Sequence, residues 1–251
     1  MSRSLEGRVA LVTGAGRRVG SAIARALAAK GMSLALHHHT SRDECERIAK
    51  MVLEGGQRAL VVSGDLSRAS ECRRLVRETI DALGGIDVLV SSAASFERMD
   101  FDAVDEDAFD RAMALNVRAS LSLVHEARET LRARGGNVVL ITCTSASLPY
   151  ANHLPYVVSK GAAKQLMRAL AIELAPEVRV NAVAPGTVLA PESMDAAERS
   201  TLASRTLVQR LGTAEDVAEA VVYLAQADFV TGQEILVDGG VVLAGRHSGE
   251  G

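Results

Sequence analysis

Long apolar runs are missing from this 251-residue sequence. No stretch reaches the roughly 18 residues a bilayer-spanning helix needs, so a membrane span is excluded on sequence grounds. A block of one charge is missing too. The formal net charge is -3, which leaves no electrostatic footprint for nucleic acid or an anionic membrane. Tryptophan is absent and phenylalanine numbers four, so an aromatic in a polar loop stands out. The three cysteines, Cys45, Cys72 and Cys143, are odd in number and scattered without metal-ligand spacing. They read as free thiols of a reducing compartment. The polar start, Met1 to Arg8, lacks the apolar core of a signal peptide, and a cytoplasmic location is expected.

What is present is ordinary for a globular chain, 48% hydrophobic and 24% charged residues. No Pro/Ser-rich linker or charge run divides it, and no long repeat organises it. One domain over residues 1–251 is expected, with a small polar tail from about residue 244. Short apolar runs, the mark of parallel strands covered on both faces, fall at 9–12, 33–37, 59–63, 88–90, 137–142, 178–183 and 234–237. Helical periodicity fills the gaps at 21–30, 42–54, 69–83, 106–134, 156–174 and 214–226, several of them stopped by glycine. Ser41 and Thr213 stand where N-caps belong. Seven strands alternating with helices predict an α/β fold, a single Rossmann-type doubly wound parallel sheet. Two stretches, 92–105 and 186–211, follow strands without a periodic pattern. Long loops at the carboxyl edge of such a sheet are where ligands bind.

Three places carry chemistry. The turn after the first strand reads Thr13-Gly14-Ala15-Gly16-Arg17-Arg18-Val19-Gly20. Glycines between a strand and a helix let backbone N–H groups approach a pyrophosphate at the positive helix end. The second strand ends in His37-His38-His39-Thr40-Ser41, with no acid before Asp43. An NAD site wants a carboxylate there for the ribose hydroxyl. A 2′-phosphate would instead meet the imidazoles of His37 and His39, the hydroxyls of Thr40 and Ser41, and Arg17, so the expected cofactor is NADP(H). Neighbouring strand residues face opposite ways, so the three histidines cannot converge and no metal is expected. Finally, Tyr156 and Lys160 are four apart on a helix and share a face. A cation near a phenol favours its ionised form and moves it toward working pH.

Together these landmarks resemble the short-chain dehydrogenase/reductase family over nearly the whole chain. They are the glycine turn, Asp65, Asn116 within Asn-Val-Arg-Ala, the Tyr156/Lys160 pair, Pro185-Gly186 and Val237-Asp238-Gly239-Gly240. The resemblance implies that Tyr156 is the acid/base, that Lys160 holds the nicotinamide ribose, and that Asn116 kinks its helix and relays protons. It implies that Gly14, Arg17, Arg18 and Val19 meet the phosphates. Asp65 and Leu66 would contact adenine, with Ala93 on the adenosine side. Pro185, Gly186 and Thr187 would line the nicotinamide side. It also implies a homotetramer and a small-molecule substrate.

Arg18, in place of a glycine, makes the turn similar to the T-G-x-x-x-R-x-G of the pteridine reductase branch, where that arginine faces cofactor phosphates and substrate. Leu36-His37-His38-His39 and Phe96 resemble the same branch, Phe96 falling where its members stack a ring on the pterin; Arg246 lies near a C-terminal Arg of that branch. Cys143, thirteen residues before Tyr156, departs from it: most of the family has Ser there and pteridine reductases commonly Asp. A thiol is the weaker donor and cannot act as a carboxyl does. A dihydropteridine reductase is therefore weighed against a carbonyl or 3-oxoacyl-thioester reductase. An NADPH-binding protein with weak catalysis and a Cys143–His153 hydrolase are the remaining alternatives.

Overall fold

The computed structural model describes residues 3–186, 188 and 194–245. Strand and helix alternate as the apolar periodicity dictates: β1 (Val9–Val12), α1 (Arg18–Ala28), β2 (Ser33–His38), α2 (Arg42–Glu54), β3 (Ala59–Ser63), α3 (Ala69–Leu83) and β4 (Val88–Ser91) form the first half. The second comprises α4 (Glu106–Met113), α5 (Ala119–Ala133), β5 (Asn137–Ile141), α6 (Leu154–Glu173), β6 (Arg179–Pro185), α7 (Ala196–Ser204), α8 (Ala214–Gln226), β7 (Glu234–Val237) and α9 (Val241–Ala244). All seven strands pair in parallel in the order β3-β2-β1-β4-β5-β6-β7.

The core lies in two layers, one on each face of the sheet. Ala10, Val12, Leu34 and Leu36 face α1, α2 and α8, while Val9, Leu11 and Ala35 face α3, α5 and α6. Period-two alternation of wholly apolar strands produces this division. Polar groups buried at the amino ends of the strands are held by specific partners, although Asn137 Oδ1 and Arg179 Nε have none. Asp87 accepts the Val9 N–H at 2.9 Å and meets Arg134 at 3.1 Å. The Arg179 guanidinium and the Asn137 amide both donate to the Leu224 carbonyl near the end of α8.

Four expectations need correction. The stretch 186–211 is not all irregular, because α7 stands in it, opened by a reciprocal capping box between Asp195 and Glu198. Ser41 occupies the residue before α2, but its side chain caps nothing. The long helix over 106–134 is not uniform: a π-turn at Ala114–Arg118 separates α4 from α5. Strand β6 runs on to Pro185, beyond the expected end. Thr213 does cap α8, its Oγ1 accepting from the Asp216 N–H.

Candidate active site

Because every strand runs the same way, their carboxyl ends share one edge. There a cavity of about 650 Å³ opens, walled by the first turn and by the ends of β2, β3, β4, β5 and β6, together with α6.

The glycine turn forms one wall. Gly14 takes φ +66, and a Cβ on it would stand 3.0 Å from the Ala93 Cα. A Cβ on Gly16 would run into the Ser41 carbonyl, and one on Gly20 into the Gly14 carbonyl. The turn thus packs backbone on backbone, which only glycine permits. Arg17 precedes α1, whose first turn contains no acid to offset the positive helix end. Arg18 adopts φ 49, the left-handed region that a glycine there would occupy freely. Val19 lines the same wall. Thr13 ties this wall to the next, its Oγ1 accepting from the N–H groups of Ser92 and Ala93 at 2.9 and 3.1 Å.

The histidines divide their work. His37 is buried, with Nδ1 accepting the Gly14 N–H at 3.1 Å and Nε2 at 3.1 Å from the Gly64 carbonyl. A ring that accepts at Nδ1 and donates at Nε2 is neutral, and burial pushes its pKa down to about 4. His37 is therefore a tie between the glycine turn and the end of β3, not a charge for a phosphate. His38, on the opposite face of the strand, is also buried in the cavity wall, and its Nδ1 has no hydrogen-bond partner. Alternation along the strand separates it from His37 and His39, and burial marks it as a wall residue. Exposed His39 and Thr40 and half-buried Ser41 complete this wall. Asp65 accepts from the Ser67 N–H and hydroxyl at 3.0 and 2.7 Å, and the hydroxyl bond holds its carboxyl below the usual range. It acts as a turn cap while still bordering the cavity beside Leu66.

Opposite stands the proton-bearing group. Tyr156 and Lys160 lie one turn apart on α6, the ammonium 5.6 Å from the ring centroid. Lys160 is buried, its Nζ donating to the Ile141 carbonyl at 2.8 Å. Burial pushes its pKa down to about 8, with Cys143 acting the other way. The phenol departs from expectation: burial holds Tyr156 above its ordinary pKa, Cys143 beside it adds to this, and Arg18 opposes it. Desolvation outweighs the opposing charge of Arg18, so the proton stays on the oxygen at neutral pH, the state a proton donor requires.

Asn116 sits within the π-turn and is buried. Its Oδ1 accepts the Ser95 N–H at 3.0 Å, and its Nδ2 donates to the Ser95 carbonyl at 3.3 Å and to the Ser159 hydroxyl at 2.9 Å. The side-chain amide is thus spent on stapling the Phe96 loop to α6. The Phe96 ring stacks on His153 at 4.5 Å and meets Tyr156 edge-on at 4.8 Å, with 57% of the residue exposed. His153 also places Nδ1 3.1 Å from the Ala151 carbonyl. Cys143 lines the cavity and borders the phenols of Tyr156 and Tyr150; Tyr150 had no role in the sequence reading. Pro185 and Gly186 form the last wall, and a Cβ on Gly186 would press on the Asp238 Cα at 2.8 Å. Thr187 and Arg246 lie outside the described residues. Among the described residues no group of three or more His, Cys, Asp or Glu is placed to hold a metal, and no helix is long and apolar enough to cross a membrane.

The His37 tie gives stability its acid limb. Its folded pKa of about 4 lies below the ordinary 6.5, so its contribution is full above 6.5 and is lost as pH falls toward 4. Urea unfolding should lose about 2 kcal/mol from this group between pH 7 and pH 5, and His37→Asn should flatten that part of the profile. An unchanged slope in the variant would contradict the assignment.

Known proteins resemble the chain throughout. A family model described as enoyl-(acyl carrier protein) reductase matches residues 14–242. A protein of Streptomyces violaceoruber named as ketoacyl reductase 2 of the granaticin polyketide synthase is 35% identical, the match covering 95% of this chain and 97% of the relative. Among solved structures, a blue fluorescent protein from a metagenomic library, in complex with NADPH, superposes with a TM-score of 0.89 at 30% identity, covering 95% of this chain and 99% of its own. A short chain dehydrogenase of Burkholderia cenocepacia in complex with NADP gives a TM-score of 0.89 at 30% identity, over 96% and 100% of the two chains.

Proposed function

The chain belongs to the short-chain dehydrogenase/reductase family, and from that premise we propose an NADPH-dependent reductase that adds hydride to a C=O or C=N carbon while Tyr156 gives the proton. The observation that carries this reading is one cavity whose lining includes the start of α1, Tyr156 and Lys160.

The donor set fits the cofactor. Gly14, Gly16 and Gly20 let the turn fold tightly against Ala93, Ser41 and itself, at a helix end suited to a pyrophosphate. The wall beyond β2 offers Thr40, Ser41, His39 and Arg17 without a carboxylate to repel a 2′-phosphate. NADPH, when bound, supplies the hydride. The chain's residues do the rest. Lys160 holds the ribose hydroxyls, and Pro185 and Gly186 flank the nicotinamide side. Tyr156 keeps its proton on Oη until the substrate heteroatom takes it, a service worth about 10²–10⁴ in rate. Exposed Leu121 on α5 and exposed Leu154 and Val158 on α6 support a homotetramer assembled on those helices.

Dihydropteridines are the substrate class we favour, because Phe96 offers an exposed ring at the edge of Tyr156 and Arg18 reaches the phenol electrostatically. The Streptomyces relative favours a second reading, reduction of 3-oxoacyl thioesters, and Cys143 in place of a carboxyl agrees with it. NADPH oxidation should proceed with dihydrobiopterin or dihydromonapterin, and NADH should give the lower kcat/KM. Turnover of acetoacetyl thioesters alone would retire the pteridine assignment.

The pH dependence has a stated sign. Lys160 carries charge below its pKa of about 8, so kcat/KM for NADPH should be level below that pH and fall about tenfold per unit above it. A profile flat from pH 7 to 9.5 would remove Lys160 from coenzyme binding.

A further inference from the structure

We propose that Glu234 is a positioning residue for the segment that carries Cys143, acting through a largely buried ion pair with Lys164. The proposal rests on the reductase reading above. Glu234 opens β7 with its side chain 5% exposed, and Lys164 Nζ stands 2.6 Å from its Oε2 with a side chain 19% exposed. The other carboxylate oxygen, Oε1, accepts from the Thr142 hydroxyl at 2.8 Å. The same Lys164 ammonium donates to the Ser147 hydroxyl at 2.8 Å.

Thr142 and Ser147 bracket the turn that leaves β5, and Cys143 lies between them. One ion pair therefore ties both ends of that turn. The tie reaches across the sheet, because β6 lies between β5 and β7. Its cation belongs to α6: Tyr156, Lys160 and Lys164 follow at four-residue spacing and share a helix face. Glu234 thus fixes the Cys143 segment against the helix that carries the proton donor. A buried pair adds little net stability beside apolar packing, since both charges lose water, but its geometry is sharply defined. Placement of Cys143 beside the Tyr156 hydroxyl is what that geometry delivers. The glycine turn and the β2 wall, which would hold the phosphates, lie elsewhere on the cavity, so the pair should act mainly on turnover and little on coenzyme affinity.

The test uses Glu234→Gln, the milder Thr142→Val, which leaves no charge unpaired, and Lys164→Arg as the conservative exchange. Alkylation of Cys143 by iodoacetamide in the folded protein, followed by mass spectrometry, reads the turn without requiring turnover. Cys45 and Cys72 are fully buried, and burial pushes their thiols up to about 11, so they stay silent. In Glu234→Gln and Thr142→Val, Cys143 should react about fivefold faster, as loss of one hydrogen bond does to a local opening. Their kcat should fall about tenfold or more through misplacement near the reacting atoms. NADPH Kd should stay within about twofold of wild type, and Lys164→Arg should keep both readouts near wild type, as the charge-assisted bonds persist. Cys143 reacting at the wild-type rate in folded Thr142→Val would overturn the proposal, as would NADPH affinity falling in step with kcat. Should the wild type prove inactive on every carbonyl and imine tried, the reductase reading fails, and the alkylation rates still decide the clamp.

Discussion

Lys160 carries its ammonium into the protein interior, where the Ile141 carbonyl at the end of β5 accepts from it. Removing an ammonium from water costs several kcal/mol, and the strand-end carbonyl offsets part of that. The rest appears as a pKa pushed down to about 8. Such a bond tolerates little slack, so it sets how α6 lies over the carboxyl edge of the sheet. Tyr156, one turn earlier on the same face, is thereby held over the cavity. Without that bond the phenol would lose one of the ties that set its height above the glycine turn.

The other elements of the site are arranged about that placement. The π-turn brings Asn116 inward, and its amide ties the Ser95 backbone to the Ser159 hydroxyl of α6. Phe96 follows Ser95 and so meets Tyr156 edge-on. The backbone of the first turn is locked from the opposite side by His37 and Thr13. One half of the cavity is therefore built from backbone and suits a phosphate-bearing ligand, while the other is built from side chains on α6 and around Cys143. The first half repeats a general solution. Cys143 and Phe96 give the second its individual character, as Arg18 does the first.

Much of this was legible in the sequence. Short apolar strands and glycine stops placed all seven strands, and four-residue spacing put Tyr156 beside Lys160. What escaped was set by partners distant in the chain. Alternation told which face His37 takes, but not that both ring nitrogens would meet backbone groups of residues 14 and 64. The π-turn leaves no mark in hydropathy, since it shifts hydrogen bonds rather than residue types. Helix α7 buries none of its residues and so lacks an apolar stripe, although Asp195 and Glu198 spelled its capping box. Glu234 reads as one more polar residue at the start of a strand until Thr142 and Lys164 are seen converging on it. The raised phenol of Tyr156 is of the same kind, because helical spacing reveals the neighbouring amine and says nothing of burial.

Exchange of Tyr156 for phenylalanine tests the central claim most directly, since it removes one oxygen and leaves the ring against Phe96. Steady-state oxidation of NADPH with the preferred substrate should fall by about 10²–10⁴, the share a positioned proton donor contributes. Coenzyme affinity, measured alongside, should be retained. Oxidation continuing at the wild-type rate would contradict the assignment of Tyr156 as the source of the proton.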